Sequence, residues 1–369
     1  MATERPRALV LVAAGGTGGH LYPGIAVADE LRRRDPALRV VFAGSTRGLE
    51  SRLVPRAGYE LERLPILPLN GVGFGRALLG AIALPWGLLQ AARLVWRLRP
   101  VSVLGVGGYA GGPVVLMAAL LGVRTVILEP NARPGFTNRV LRPFVARAAC
   151  AYEETRLSLG PKAILTGTPV RREFADLPPR AYRSPLRLLA FGGSQGSRTL
   201  NAALLAAVPQ LPGPERLSLV HQTGAAFRDE VAAGYARLGR PAEVTAFLDD
   251  MPSRFAAADI VLARSGATTC AEITAAGKAA VLVPFARAAD DHQRVNAAAL
   301  AAAGAARMLE EHELSGETLA GVLSALVEAP ERIAEMAAAA RRLARPHAAR
   351  DVADLLVPEA AGPGSGACV

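Results

Sequence analysis

LVLVAAGGTGGHLYPGIAVADELRRR (residues 9–34) reads as a buried apolar strand from Leu9 to Ala14, a glycine turn, and an amphipathic helix with Ile25, Ala28 and Leu31 on one face. A dinucleotide-binding unit opens in the same way, but its fingerprint is Gly-x-Gly-x-x-Gly with an acid closing the second strand. Here Gly16-Thr17-Gly18 runs into Gly19, His20 and Leu21, and the second strand, LRVVFAGS, closes on Gly44 and Ser45. The unit is a strand, loop and helix start that argues against a nicotinamide site.

Working outward, the same alternation repeats. VSVLGVGG precedes PVVLMAALLG, and RTVILEPN precedes RPGFTNRVL; a second series runs through LRLLAFGGSQGSRTLNAALLAAV, RLSLVHQTG, EVTAFLD, IVLARSG and AAVLVPF. Strands alternating with helices predict parallel sheets with helical crossovers, here two doubly wound α/β domains. At 369 residues the chain accommodates both. The stretch from about Gly160 to Pro185 is rich in proline and arginine with little periodicity and reads as the linker, with a cleft beside it. AAGGTGGH and AFGGSQGS echo one another, each following an apolar strand and opening a helix. The closing PEAAGPGSGACV reads as a disordered tail.

Composition narrows the function classes. Cys150, Cys270 and Cys368 have no paired spacing, which argues against a disulfide framework or a cysteine zinc site and for a reducing compartment. The first apolar run is short and is itself a strand, so no signal peptide is read. Net charge is +10, yet residues 1–175 hold 23 basic and 11 acidic side chains, and the remainder 19 and 21. A basic half beside a near-neutral one points to an anionic partner. Nucleic acid is disfavoured, since no recognition motif appears and aromatics are only 5%.

Two segments bear on membranes. Val101 to Val123 carries no charged residue and is long enough to raise a transmembrane reading, but GVGGYAGGP punctuates it, so it reads as strand, loop and helix. VGFGRALLGAIALPWGLLQAARLVWRLR (residues 72–99) is interrupted by Pro85 and bounded by Arg76 and Arg93. It suits an interfacial segment, with Ile82, Trp86 and Leu89 flanked by Arg76, Arg93 and Arg97; the alternative is a core helix.

Several loops offer anion chemistry, since glycine turns at helix N-termini let backbone N–H groups approach a phosphate. GGSQGS (residues 192–197) adds the hydroxyls of Ser194 and Ser197, although a tight turn alone would also use these glycines. In RSGATTCAE, Thr269-x-x-Glu272 is open to two readings: a capping box, or a first-turn carboxylate that grips ribose hydroxyls. His20 either packs at a loop–helix junction or acts in catalysis at the carboxyl end of a strand, where ligands of open α/β sheets bind. No Asp-x-Asp or metal-ligand cluster is visible.

Taken together, GGTGGHLYPG, VGGYAGGP, EPNARPGFTNR, TGTPVR, FGGSQGSRTLN, FLDDM, RSGATTCAEITAAGKAAVLVPF and DDHQRVNA resemble one family in order along the chain. This is the MurG family of UDP-N-acetylglucosamine transferases. The chain departs from the family at Leu128 and Pro130, where His and Gln are common.

The resemblance implies two Rossmann-like domains of the GT-B type: an acceptor-binding, membrane-associating domain over 1–165 and a UDP-N-acetylglucosamine domain over 166–340. A helix and tail over 341–369 would pack back on the first. It implies inverting transfer to the C4 hydroxyl of lipid I (undecaprenyl-pyrophosphoryl-MurNAc-pentapeptide), giving lipid II at the cytoplasmic face of the membrane, with no cofactor and no metal.

Carried over by motif, Thr17, Gly18 and Gly19 lie near the donor diphosphate and Asn131 near the transferred sugar. Arg171 and Ser194 face the diphosphate, and the backbone around Leu248 reads the uracil. Ala267, Thr268, Thr269, Cys270, Ala271 and Glu272 cradle diphosphate and ribose, Gln293 binds N-acetylglucosamine, and His20 is the general base. Rival readings are a diacylglycerol-type glycosyltransferase, a UDP-N-acetylglucosamine epimerase, and a non-catalytic UDP-sugar-binding scaffold at a membrane.

Overall fold

A computed structural model of the chain describes residues 8–15, 18–45, 48–64, 74–108, 111–178, 181–288 and 291–357, with side chains of the helix from Phe74 described from Pro85 onward. It divides into two compact units, one running to Arg171 and resuming at Arg345, the other spanning Arg172–Ala344.

In the first unit β1 (Leu9–Ala13), α1 (Gly18–Arg34), β2 (Arg39–Ser45), α2 (Glu50–Arg56), β3 (Glu60–Leu64), α3 (Phe74–Leu98) and β4 (Ser102–Gly105) are followed by α4 (Gly111–Leu120), β5 (Arg124–Glu129), α5 (Phe136–Leu141), β6 (Arg147–Cys150), α6 (Glu153–Leu159) and β7 (Ala163–Leu165). The strands form one parallel sheet in the order β3-β2-β1-β4-β5-β6-β7. Because side chains alternate across a strand, β1 feeds two cores: Val10 and Val12 face α1, while Leu9 and Leu11 face α3 and α4. The chain returns to this unit as α15 (Ala348–Leu356, numbered after the second unit's helices), which buries Val352, Ala353 and Leu356 in the α1-side core. Arg124 Nε donates to Leu355 O at 2.7 Å and Arg34 Nη2 to Arg350 O at 3.0 Å, tying that helix down.

The second unit holds α7 (Arg172–Ala175), β8 (Leu186–Phe191), α8 (Arg198–Ala207), β9 (Leu217–Gln222), α9 (Arg228–Arg237), β10 (Glu243–Thr245), α10 (Met251–Ala257), β11 (Ile260–Ala263) and α11 (Ala267–Ala276). β12 (Ala279–Leu282), α12 (His292–Ala302), β13 (Ala306–Met308), α13 (Gly316–Glu328) and α14 (Pro330–Leu343) complete it, and its parallel sheet runs β10-β9-β8-β11-β12-β13.

Strand order reverses between β1 and β4 in one sheet and between β8 and β11 in the other. Loops leaving the carboxyl ends of those pairs diverge and leave room for a ligand. The register sets Ala13 beside Gly105 and Phe191 beside Ala263, so the loops that follow start level with one another.

The structure corrects several sequence expectations. The linker stretch from Gly160 opens with β7, which pairs with β6, and contains α7. β3 (ELERL) and the three-residue β7 and β13 are edge strands, too polar or too short to show alternation. The segment from Phe74 is one helix that continues through Pro85. Ala91, Leu94 and Val95 of that helix are core, whereas Trp86, Leu89 and Trp96 are exposed, so the helix is core along one stripe only. The Ile82 and Arg76 side chains, and the tail PEAAGPGSGACV, lie outside the described residues.

Candidate functional site

In the second unit β8 ends at Phe191 and the chain turns through Gly192–Gly196 into α8. Gly193 (φ +87°) and Gly196 (φ +76°) take left-handed conformations, and Gly196 N–H donates to Gly193 O at 2.9 Å. A Cβ at Gly196 would run into Thr223 O, so a side chain is barred there. Ser197, expected as a hydroxyl donor, is the N-cap of α8: its buried Oγ accepts from Leu200 N at 3.3 Å. Arg264 Nε and Nη2 donate to the same oxygen at 3.1 and 2.8 Å, so its acceptor capacity is used inside the protein. Ser194 remains on the half-buried rim of the turn.

Arg264 is itself buried and carries the next loop, donating to Val283 O (3.2 Å) and Pro284 O (2.9 Å) and pairing with Glu311. Burial opposes the Glu311 charge, but the Arg264 guanidinium and the Ala286 N–H outweigh it and hold the carboxyl below its ordinary range. Gln293, in the first turn of α12, accepts from Phe285 N on Oε1 at 3.1 Å and from Ser265 Oγ on its carbonyl at 2.8 Å. Arg264, missed by the sequence reading, therefore fastens the turn after β8 to the loop that holds Gln293.

α11 settles the capping question. Gly266 is the N-cap, extended at φ −60°, ψ 148°, so Thr269 is the third helical residue and no side chain caps the helix. Glu272 lies in the second turn, not the first, and is buried with Ala267 and Thr268, while Thr269 and Ala271 are half-buried. The capping box is thus excluded by geometry. Cys270 points into the core, where burial pushes its thiol up to about 12, so only its backbone is available to a ligand. Leu248 is buried as well, and its N–H donates to Gln222 Oε1 at 3.1 Å.

In the first unit His20 is the third residue of α1, half-buried. Its Cδ2 would lie 2.8 Å from a Cβ at Gly107, and a Cβ at Gly108 would meet Gly15 O. Both glycines have positive φ, +92° and +80°, so the loops after β1 and β4 wedge together only because neither carries a side chain. Gly18 and Gly19 precede His20 in the same helical turn, and Thr17 lies outside the described residues.

Asn131 follows β5 and is organised by Glu129, a second residue the sequence reading passed over. The buried Glu129 carboxylate accepts from Asn131 N (3.0 Å), Asn131 Nδ2 (3.1 Å), Gly135 N (2.8 Å) and Asn138 Nδ2 (2.9 Å). Its signal was in the sequence, since it is the sole acid between residues 63 and 152 and closes a buried strand. Thr155 Oγ1 donates to Asn131 O at 2.8 Å. The departures at Leu128 and Pro130 leave this loop held by the acid between them. Arg171 belongs to the first unit, its guanidinium 4.6 Å from the Tyr22 ring centroid.

The expected site residues thus fall into two groups. Gly18, Gly19, His20, Asn131 and Arg171 belong to the first unit, and Ser194, Leu248, Ala267–Glu272 and Gln293 to the second. Among the described residues, no group of three or more His, Cys, Asp or Glu is placed to hold a metal ion, and no helix is long and apolar enough to cross a membrane.

With the geometry in place, comparison with known proteins is informative. Residues 10–150 match the glycosyltransferase family 28 N-terminal domain and residues 187–356 its C-terminal domain. A UDP-N-acetylglucosamine–N-acetylmuramyl-(pentapeptide) pyrophosphoryl-undecaprenol N-acetylglucosamine transferase of Anaeromyxobacter sp. (strain Fw109-5) is 47% identical over 350 residues, 94% of this chain and 92% of that protein. The crystal structure of MurG from Acinetobacter baumannii aligns with TM-score 0.75 at 32% identity, covering 95% of this chain and 99% of that one. A UDP-N-acetylglucosamine 2-epimerase structure aligns with TM-score 0.66 at 13% identity, covering 95% of each chain, which shows a shared fold alone.

Proposed function

Because this chain belongs to glycosyltransferase family 28, and within it to the MurG family, we propose that it transfers N-acetylglucosamine from UDP-N-acetylglucosamine to undecaprenyl-pyrophosphoryl-MurNAc-pentapeptide. The acceptor is the C4 hydroxyl of the muramyl sugar, and the anomeric centre inverts. Identity at 47% across 94% of the chain, spanning both units, carries the reading.

His20 takes the proton of the C4 hydroxyl as that oxygen attacks the anomeric carbon; the bond from that carbon to the diphosphate breaks on the opposite face and UDP leaves with the electron pair. Charge gathering on UDP is met by backbone N–H groups at the start of α11 and in the turn holding Ser194, with Arg171 adding a cation. Glu272 accepts from the ribose hydroxyls, the Leu248 segment reads uracil, and Gln293 and Asn131 hold the transferred sugar. Thr17, Gly18 and Gly19 border the diphosphate.

The test incubates the full chain with radiolabelled UDP-N-acetylglucosamine and the undecaprenyl-linked acceptor. A labelled lipid-linked disaccharide with stoichiometric UDP is expected. Product formed only with diacylglycerol, epimerised donor formed without any lipid, or donor binding without turnover would each replace this reading with the corresponding rival.

We infer further that the first unit meets the anionic cytoplasmic face of the membrane peripherally. α3, α4 and α5 pack side by side on one face of its sheet. Trp96 is 70% exposed and Trp86 53%, with Arg93 beside Trp86, and Leu120 at the end of α4, Phe136 at the start of α5 and Phe144 just after it are exposed as well. Insertion of the apolar groups supplies affinity at about 25 cal/mol per Å², and each nearby basic side chain adds about 1 kcal/mol. Replacing Trp86 and Trp96 by serine should weaken co-sedimentation with phosphatidylglycerol vesicles by about tenfold or more and leave the melting temperature nearly unchanged. Wild-type sedimentation by the double variant would place the membrane contact elsewhere.

A further inference from the structure

Gln222 closes β9 and is 2% exposed, yet its side-chain amide reaches two loops. Nε2 donates to Gly193 O at 2.9 Å and Oε1 accepts from Leu248 N at 3.1 Å. One planar group thereby serves as donor to the turn after β8 and acceptor for the segment after β10, a combination neither a carboxylate nor a thioether offers.

Each contact lies where it controls what the loop shows a ligand. Gly193 O also accepts from Gly196 N at 2.9 Å, so two donors turn that carbonyl inward. A backbone turn attracts an anion only when its carbonyls point away and its N–H groups point out. In the other loop, Phe247 O accepts from Thr245 Oγ1 at 2.8 Å while Leu248 N donates to Gln222, so the peptide joining 247 and 248 is fastened at both ends.

We propose that Gln222 is a positioning residue that fixes the diphosphate turn and the base-reading segment to one another, so that donor affinity and preference for uracil both run through it. This rests on the reading that the second unit takes UDP-N-acetylglucosamine. A ligand spanning both loops feels their spacing, whereas uridine, lacking phosphates, feels only one.

The experiment titrates the full chain calorimetrically with UDP, CDP and uridine. Gln222→Met removes both bonds at similar volume; UDP should bind about tenfold or more weakly, and its advantage over CDP should shrink. Gln222→Glu keeps an acceptor for Leu248 N but offers no hydrogen to Gly193 O. It should retain the preference for UDP over CDP and lose much of the advantage of UDP over uridine at pH 8. That advantage should return as pH falls, because a buried carboxyl takes up a proton readily and then donates to Gly193 O. A glutamine that only packs would lower the melting temperature and leave both preferences and their pH profile unmoved, which overturns the proposal. Should Gln222→Met fail to fold, the pH-dependent recovery of Gln222→Glu decides it. Wild-type protein that binds no UDP would overturn the donor reading itself; wild-type protein that binds UDP with both variants unchanged would overturn the role of Gln222 alone.

Discussion

Two turns of similar spelling, GGTGGH at residues 15–20 and GGSQGS at 192–197, follow the first strand of each sheet and open a helix; glycine lets backbone approach backbone closely in both, at Gly108 and at Gly196, but the second has a set of side-chain ties as well. The second turn is fastened by polar ties: Ser197 caps α8, Arg264 grips the cap, and Gln222 holds Gly193 O. The first is wedged sterically, with Gly108 against Gly15 and Gly107 against the His20 ring. These ties turn the Gly193 carbonyl inward and occupy the lone pairs of Ser197 Oγ. At the first turn the side chain beside the glycines is the His20 imidazole, against Gly107. The same strand–turn–helix device thus occurs in both units, and the proposed function assigns leaving-group binding to one and proton transfer to the other.

The largest effect that bears on this contrast is expected from alanine at Gly108 or Gly196. Both have positive φ, and the new methyl would strike a backbone oxygen, Gly15 O or Thr223 O, which cannot swing aside. Each should cost about 3 kcal/mol or more and lower the calorimetric melting temperature by roughly 10 °C. Gly193 has φ +87° but nothing within 4 Å of its Cβ position, so Gly193→Ala should cost only about 1 kcal/mol. Three variants melting alike would break the steric account.

His20→Ala and Glu272→Ala then separate the two chemistries. The first should lower turnover about a hundredfold or more at nearly unchanged UDP affinity, read from initial rates beside calorimetric titration. The second should weaken UDP by about 1.5 to 3 kcal/mol through lost ribose contacts. Because Glu272 sits in the second turn behind a glycine cap, its loss should not reproduce a capping defect. If His20→Ala instead loses UDP binding while Glu272→Ala keeps it, the assignment of roles to the two units reverses.

A smaller effect concerns the footing of the polar turn. His221 is buried between Tyr235 OH (3.1 Å) and Asn201 Oδ1 (3.1 Å), and Asn201 Nδ2 donates to Thr223 O at 3.0 Å. Burial pushes the imidazole down to about 4, so the folded protein keeps it neutral while the unfolded chain protonates it near 6.5. The stability this represents is complete above pH 6.5 and is lost as pH falls from there toward 4, about 2 kcal/mol between pH 7.5 and 5. Urea midpoints across that range should slope for the wild type and flatten for His221→Gln. Equal slopes would remove His221 from the account.

How much of this was legible beforehand varies with the range of the interaction. Strands β1, β4, β5, β8, β11 and β12 announce themselves as apolar runs because both of their faces are buried. Edge strands β3, β7 and β13 do not, since one side of each lacks a partner and their lengths fall to three residues in two cases. Among site residues, the positions of His20 and Ser194 follow from a local pattern of strand, glycine turn and helix. The local pattern could not show that Ser197 Oγ accepts from a residue 67 positions away, nor choose between the two readings of Thr269 and Glu272, which the cap position at Gly266 decides against the capping box.

The sequence by itself determined the two parallel sheets, the glycine turns at their carboxyl ends, the basic first half and the order of motifs that places the chain in its family. All of these depend on periodicity, on the freedom of glycine, or on summed charge, which are properties of short stretches. Only the tertiary structure decided that α3 turns one stripe to the core and another outward, and that Glu129 gathers the loop around Asn131. It alone showed which α15 residues, Val352, Ala353 and Leu356, enter the first unit's core and that Arg264 and Gln222 brace the second. Each of those depends on which residue stands opposite across the fold, and a hydrogen bond or buried contact between distant positions leaves no period in the chain that makes it.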